Sequence, residues 1–190
     1  MPTFIDIIAG VAQQQVSGGG TSFTDDFNRA NEALEASSNW NALLGTGLDV
    51  VSNAVSVTAN GAQVFECVGA TLAADQYAEA TLATVASNAG VMARCDGTTD
   101  NLYFFRTSGS QWQMFRTVSG ATTQIGTNVE APTAGDVLRI ECSGTTIRGL
   151  VNGVQKISVT DSTLSSGASA GFRCFNTSGG IWDDFSMGDL

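Results

Sequence analysis

Two pairs of adjacent aspartates are the first candidates for site chemistry in this 190-residue chain. Asp25 and Asp26 lie near its start, and Asp183 and Asp184 lie near its end. Neighbouring residues of a strand point to opposite faces, so one member of each pair faces solvent and the other needs a partner. Calcium prefers carboxylate oxygens, which makes Asp25 with Asp183 a weak calcium candidate.

The favoured alternative gives the inward aspartates an arginine partner or loop hydrogen bonds. Arg29 and Arg173 are the obvious partners by sequence position. We therefore expect no bound metal and no cofactor.

Enzymatic chemistry finds little support in the residue types. The chain has no histidine, which excludes a Ser-His-Asp triad, a Cys-His dyad and a histidine-ligated zinc. Glycoside hydrolysis needs two carboxyl groups about 5 or 6.5–9.5 Å apart, and no glutamate pairs with another acid at strand spacing. We expect no catalytic residue and no enzyme activity.

An aromatic stretch carries the candidates for ligand binding. Trp112 lies in phase with Arg116, and an aromatic ring beside a polar group can bind a sugar. Phe115 lies on the other face of the same strand. Large aromatic side chains dominate buried packing, so Tyr103 and Phe105 are predicted to be core, while the role of Trp112 stays open.

The charge balance limits the partners. The net charge is −10, Lys156 is the single lysine, and the seven arginines are scattered. Phosphate contacts dominate nucleic-acid affinity, so we expect no nucleic-acid partner. An anionic membrane surface is excluded for the same reason.

Four cysteines lie in strand-like stretches, each two residues from another apolar residue: Cys67, Cys95, Cys142 and Cys174. They are predicted to be small buried apolar residues. Two disulfides are the alternative that an even count permits.

Residues 1–20 differ from the rest and are predicted to be an N-terminal arm with a glycine linker. Their apolar side chains are proposed to dock on a partner: Phe4, Ile5, Ile7, Ile8 and Val11. The alternatives are an arm folded back on its own domain and a frayed terminus. The helical spacing predicts a short amphipathic helix over residues 5–15. Gly18, Gly19 and Gly20 would make the joint flexible.

Residues 21–190 are predicted to be one β-domain. Roughly a dozen short strands alternate with turn signals, as in a sandwich or barrel. Asn60-Gly61 and Asn152-Gly153 are expected to be hairpin turns. The predicted fold is all-β, an antiparallel two-sheet sandwich behind a short arm.

Several segments resemble laminin-G-like, concanavalin A-like jelly rolls. The segments are residues 23–30 with 38–40, residues 90–94, residues 101–106, residues 137–156 and residues 181–185. The resemblance implies an antiparallel two-sheet jelly roll whose first and last strands lie side by side, which would bring the two aspartate pairs together. The related β-glucanases carry a Glu-x-Asp-x-x-Glu pattern that this sequence lacks.

Acidic, lysine-poor jelly rolls with an N-terminal arm look most like bacteriophage virion proteins. The resemblance therefore implies a non-enzymatic virion structural protein, a capsid decoration or minor tail protein assembled in the host cytoplasm. Its expected partners are other virion proteins and copies of itself. The alternative is a lectin-like module that binds cell-surface carbohydrate.

Overall fold

The computed structural model of the protein describes residues 13–17, 20–99, 101–175 and 178–190. This part of the chain contains seventeen β-strands and one 3-10 helix, Leu34–Ala36. The strands are β1 (Gln13–Ser17), β2 (Gly20–Asp25), β3 (Glu32–Ala33), β4 (Trp40–Leu44), β5 (Leu48–Val51), β6 (Ala54–Val57), β7 (Ala62–Cys67), β8 (Gln76–Leu82), β9 (Ala89–Cys95), β10 (Leu102–Thr107), β11 (Trp112–Val118), β12 (Ala121–Gln124), β13 (Val137–Ser143), β14 (Thr146–Val151), β15 (Val154–Thr160), β16 (Ser169–Phe175) and β17 (Ser178–Asp189). Within these ranges no helix is long and apolar enough to cross a bilayer.

The strands form two sheets. The ten-stranded sheet has the order β15-β14-β13-β8-β17-β6-β5-β3, and β2 joins it by pairing with both β17 and β1. The seven-stranded sheet has the order β12-β11-β10-β9-β16-β7-β4. Every pairing between these strands is antiparallel. The predicted all-β, antiparallel two-sheet sandwich is confirmed.

The main core lies between the two sheets and is rich in aromatic rings. The ring of Trp40 stacks on Phe172 at 5.3 Å and meets the edge of Phe185 at 4.9 Å. Each large apolar side chain buried in this way contributes about 1.5–3 kcal/mol. Tyr103 and Phe105 are fully buried, which confirms their assignment to the core.

Turn chemistry is confirmed at one predicted hairpin and wrong at another. Asn152 and Gly153 have φ of +52° and +74°, and they join the paired strands β14 and β15. Asn60 and Gly61 instead connect β6, in the ten-stranded sheet, with β7, in the seven-stranded sheet. A turn residue with positive φ (Gly61 has +100°) fixes the local reversal, but it does not select the strand that the chain pairs with afterwards.

The predicted docking residues of the arm, namely Phe4, Ile5, Ile7, Ile8 and Val11, lie outside the described residues. Of the helix predicted over residues 5–15, the structure describes residues 13–15, which belong to β1 and pair with β2. The helix prediction is wrong there, because pairing with the open side of β2 gives these backbone groups partners in the sheet. The docking role of the arm stays a prediction.

The four cysteines are buried free thiols. This confirms them as small apolar residues of the interior, and the disulfide alternative is wrong. Burial raises the pKa of all four thiols, that of Cys142 to about 12 and that of Cys174 to about 11.

Candidate functional site

The seven-stranded sheet carries a second apolar cluster on the face turned away from the main core. Met92, Leu102 and Phe104 are fully buried there, and Val64 is nearly so. Side chains on the outward face of a sandwich normally meet water, since strand residues alternate between core and solvent. Their burial shows that the middle of this face is recessed beneath neighbouring side chains.

We call this surface the outer face. It comprises two rows of cross-strand neighbours and one exposed ring at the end of β16: Gln113, Arg106, Gly90, Arg173 and Val64 in the first row, Phe115, Phe104, Met92, Gly171, Glu66 and Asn41 in the second, and Phe175. The rows lie two residues apart along each strand, a distance of about 6.6 Å. The site is thus assembled from β4, β7, β16, β9, β10 and β11.

Two arginines cover the aromatic pair at the centre of the outer face. Phe104 and Phe115 stack with ring centroids 5.1 Å apart. The guanidinium carbon of Arg106 lies 4.2 Å from the Phe115 centroid, and that of Arg173 lies 4.4 Å from the Phe104 centroid. These cation–π contacts hold the long side chains against the sheet. Arg106 Nε also donates a hydrogen bond of 3.1 Å to the Oε1 atom of Gln113.

These two arginines differ from every other cation of the described residues. The other six each form a salt bridge with at least one carboxylate: Arg29, Arg94, Arg116, Arg139, Arg148 and Lys156. Within the described residues neither Arg106 nor Arg173 has a carboxylate partner. Burial lowers the pKa of both guanidinium groups, and the charge of Arg173 lowers that of Arg106 further.

Two buried glycines, Gly90 and Gly171, lie between and beside the arginines. Gly90 pairs with Arg106 on one side and with Arg173 on the other. A Cβ atom at Gly90 would lie 2.7 Å from the Arg106 Cβ and 2.6 Å from the carbonyl oxygen of Phe105. At Gly171 it would lie 2.0 Å from the carbonyl oxygen of Phe65. Neither position accepts a side chain without backbone movement, so the close approach of the neighbouring strands requires glycine at both.

Glu66 is the one carboxylate among the described strand positions of the outer face. Its Oε1 accepts a 2.9 Å hydrogen bond from Asn41 Nδ2, and its Oε2 accepts a 2.8 Å bond from Ser169 Oγ. Glu66 also lines a cleft of about 240 Å³ at this end of the sheet, together with Val68 and Asp96. The cleft is smaller than the ~300–1,000 Å³ of drug-sized ligand pockets, so it suits one small group.

The predicted ligand residues Trp112 and Arg116 do not lie on the outer face. Trp112 is fully buried, with its ring 5.5 Å from that of Phe105, so it cannot stack on a sugar and the prediction is wrong. Arg116 is bound to the carboxylate of Asp161 and donates a 2.6 Å hydrogen bond to the hydroxyl of Thr163. Its guanidinium anchors the segment after β15, which contradicts the ligand role.

The inward aspartate of the first pair has the arginine partner that the sequence favoured. Asp25 Oδ1 accepts hydrogen bonds from Arg29 Nη1 at 2.6 Å and from the Phe27 amide at 3.0 Å, while Oδ2 accepts one from Trp40 Nε1 at 2.8 Å. The partnership with Arg29 is confirmed. Both carboxylate oxygens are occupied, so the calcium interpretation of Asp25 is wrong.

The second pair lies beside the first, as the resemblance implied, because β17 pairs with β2. Burial raises the pKa of Asp183, and the charges of Asp184 and Asp26 raise it further. The predicted partnership with Arg173 is wrong, since that arginine lies on the other sheet. In the described ranges, no three acidic or cysteine side chains are grouped to hold a metal ion.

The residues that define the outer face were not among the site residues predicted from the sequence: Asn41, Glu66, Arg106, Gln113 and Phe175. Arg173 was predicted to be an aspartate partner instead. A local signal existed, since Arg106 and Phe104, like Arg173 and Phe175, stand two residues apart within a strand. That spacing places each arginine and its aromatic neighbour on one face. Which strands lie side by side was not readable from the spacing.

Comparison with known proteins identifies the fold. No protein-family model and no curated protein matches the chain. A carbohydrate-binding module, CBM66, from Bacillus subtilis aligns with a TM-score of 0.57 at 17% identity, covering 80% of this chain and 92% of that one. A protein of unknown function with a galectin-like fold from Bacillus subtilis aligns with a TM-score of 0.58 at 10% identity, covering 93% of this chain and 97% of that one. The β-glucanase of Bacillus licheniformis aligns with a TM-score of 0.55 at 13% identity, covering 90% of this chain and 96% of that one.

At these identities the likeness shows the fold alone. The chain is an all-β jelly-roll sandwich of the concanavalin A-like and galectin-like kind. The predicted antiparallel two-sheet jelly-roll sandwich is confirmed. What the neighbours bind or cleave is a property of those proteins.

Proposed function

We propose that this protein is a non-catalytic carbohydrate-binding module that binds glycan across the outer face. One observation carries the proposal: aromatic and hydrogen-bonding side chains from six strands meet on the outward face of the seven-stranded sheet, around a buried apolar cluster. A saccharide presents hydroxyl groups around its ring edge and C–H groups on its faces. Such a ligand needs polar partners beside an apolar surface, and the outer face supplies both.

Phe175 supplies the apolar surface. Its side chain is 43% exposed, which is unusual for a phenylalanine, and it stands two residues from Arg173 on the same face of β16. Glu66, Asn41 and Gln113 supply acceptors and donors for hydroxyl groups. The distance from Phe175 to the row of Glu66 is four residues of strand, about 13 Å, which suits a short oligosaccharide.

The comparisons support the class of ligand. CBM66 is named a carbohydrate-binding module, and the β-glucanase is named for a glycan substrate. The absence of catalysis in our proposal is supported by the carboxylates. A glycosidase needs two of them around the scissile bond, whereas the described strand positions of the outer face carry Glu66 alone, with both oxygens already hydrogen-bonded.

The virion role rests on the arm and stays a prediction. Its capsid or tail partners, self-association and virion location depend on residues 1–12, which lie outside the described residues. The outer face lies within the described residues and supports glycan binding directly. We therefore rank glycan binding above the virion role.

A glycan array with the full chain tests the proposal, followed by calorimetry of the best ligand with the wild type and Phe175→Ala. Half-covering a phenylalanine contributes about 1 kcal/mol, so we expect about five-fold weaker binding in the variant. Val154→Ala is the matched control, because Val154 is an exposed apolar residue of the ten-stranded sheet. Failure to bind any glycan would contradict the function, and equal affinity of both variants and the wild type would contradict the site.

A further inference from the structure

We propose that Arg106 and Arg173 form an anion site and that the ligand is an acidic saccharide, bearing a carboxylate or sulfate group on its sugar ring. The inference rests on the proposed glycan-binding function and names the class of glycan.

The distribution of charge points to an anionic ligand. Cations are scarce, with eight Lys and Arg residues against eighteen Asp and Glu. Six of the eight are bound to carboxylates of the protein, and the two that are not flank the same residue, Gly90. Placing two partly buried like charges on the two strands that flank β9 is unfavourable unless an anion compensates them. Within the described residues no carboxylate does so.

The geometry leaves both guanidinium groups able to bind. Strands lie about 4.8 Å apart, so the Cα atoms of Arg106 and Arg173, with β9 between them, are about 10 Å apart. The guanidinium carbons lie 4.2 Å and 4.4 Å from the centroids of aromatic rings. Among the described residues Arg106 donates its Nε–H to Gln113, so the terminal N–H edge of each group remains for a ligand. That edge matches a carboxylate or sulfate with two parallel hydrogen bonds. Gly90, which pairs with both arginines, carries no side chain of its own between them.

The surroundings point to a saccharide rather than to a simple anion. Glu66 lies on the neighbouring row, two residues from the Val64 that pairs with Arg173. A carboxylate repels a second negative charge but accepts hydrogen bonds from hydroxyl groups. The outer face therefore fits a ligand with a negative group at the arginines, hydroxyl groups near Glu66 and a ring face against Phe175.

Pairs of ligands that differ only in their negative charge test whether that charge strengthens binding. Calorimetry at 0.15 M salt, where the Debye length is about 8 Å, limits the long-range repulsion from the acidic protein. One pair is trigalacturonate and its methyl ester, which keeps the rings and removes the carboxylates. The other pair is a short dextran sulfate and dextran of the same length. We expect the charged member of at least one pair to bind about tenfold or more tightly, and the pair that discriminates identifies carboxylate or sulfate.

Variants of the two arginines test whether the negative group of the ligand binds at Arg106 and Arg173. Arg106→Gln and Arg173→Gln should each weaken binding of the charged ligand about tenfold or more and leave the neutral ligand within twofold. Arg148→Gln is the control, because Arg148 is an arginine on the ten-stranded sheet, ion-paired with Glu141. Arg173→Lys keeps the charge but not the planar fork, so it should lose part of the preference. Melting temperatures verify that each variant is folded. If Arg173→Gln unfolds, Arg106→Gln and Arg173→Lys together still test whether the anion binds at the two arginines.

Three results would overturn the inference. Equal binding of the charged and neutral members of both pairs would refute it while the glycan-binding function stands. A charge preference that survives in Arg106→Gln and Arg173→Gln would place the anion elsewhere. Binding of no saccharide, on the array or in solution, would refute the inference and the proposed function together.

Discussion

Replacing Asp25 with Asn should destabilise the fold by about 3 kcal/mol, although the two side chains have the same shape. The Asp25 side chain is 1% exposed and its carboxylate is held by donors from three different residues, Arg29, Phe27 and Trp40. It thereby ties the end of β2 to the start of β4. The variant changes the hydrogen-bonding capacity of this junction without leaving a cavity.

The magnitude follows from the three contacts. An asparagine oxygen at the Oδ1 position can still accept from Arg29 and Phe27, but its amide nitrogen would face the Trp40 Nε1–H, donor against donor. A buried donor without a partner costs about 1–3 kcal/mol. Losing the negative charge opposite Arg29 adds a further cost to the free energy of unfolding. That cost is below the ~3–5 kcal/mol for breaking a fully buried ion pair, because Glu32 also binds Arg29.

Urea denaturation at 25 °C measures the effect, and Asp26→Asn is the matched control. Asp26 is exposed and accepts one hydrogen bond, from the Asn28 amide, so its substitution should cost under about 0.5 kcal/mol. In thermal melts, 3 kcal/mol corresponds to roughly 6–12 °C for a domain of this size. A loss below about 1 kcal/mol in Asp25→Asn would refute the assigned role, as would recovery of its stability on adding calcium.

Two further predictions concern buried groups. The four thiols should not react with Ellman's reagent in the native protein, because they are buried and burial raises their pKa. All four should react after denaturation without reductant. Fewer than four reactive thiols would reveal disulfides. Burial opposes the pKa shift of Asp161, but hydrogen bonds from Thr163 and Tyr103 and the charge of Arg116 outweigh it and lower the pKa. The stability this carboxylate contributes is present above its unfolded pKa of about 3.9 and is lost as pH falls through the lower folded value. Asp161→Asn should therefore cost about 2 kcal/mol at pH 7 and progressively less as the pH falls below about 3.9 in urea melts. A cost that stays constant as the pH falls would contradict this.

The sequence predicts those features of the fold that depend on neighbouring residues. Alternation identifies the strands and assigns Tyr103 and Phe105 to the core, because side chains two apart share a face. The Asn152-Gly153 hairpin follows from the positive φ that its turn requires. Asn60-Gly61 has the same chemistry and still connects two sheets. The choice of partner strand depends on the packing of the whole sandwich, which no local motif carries.

The candidate site depends on the register between strands and was therefore largely hidden from the sequence. Trp112 and Arg116 are in phase within β11, yet one is in the core and the other is tied to Asp161. Arg106 and Arg173 are 67 residues apart in the chain and meet only because β9 pairs with both β10 and β16. Phase within a strand predicts the face of a side chain, but not its neighbours across the sheet.

Gly90 connects the fold to the proposed function. As a residue of a central strand it costs conformational entropy and packs no side chain, both of which weaken a strand. Close contacts with Phe105 and Arg106 exclude a Cβ atom there, so the approach of β9 to β10 depends on it. On either side of this glycine stand Arg106 and Arg173, whose guanidinium groups lie over aromatic rings. Local packing explains why glycine stands at this position, but it does not explain why both flanking residues are cations without carboxylate partners within the described residues. A ligand that supplies the missing negative charge does.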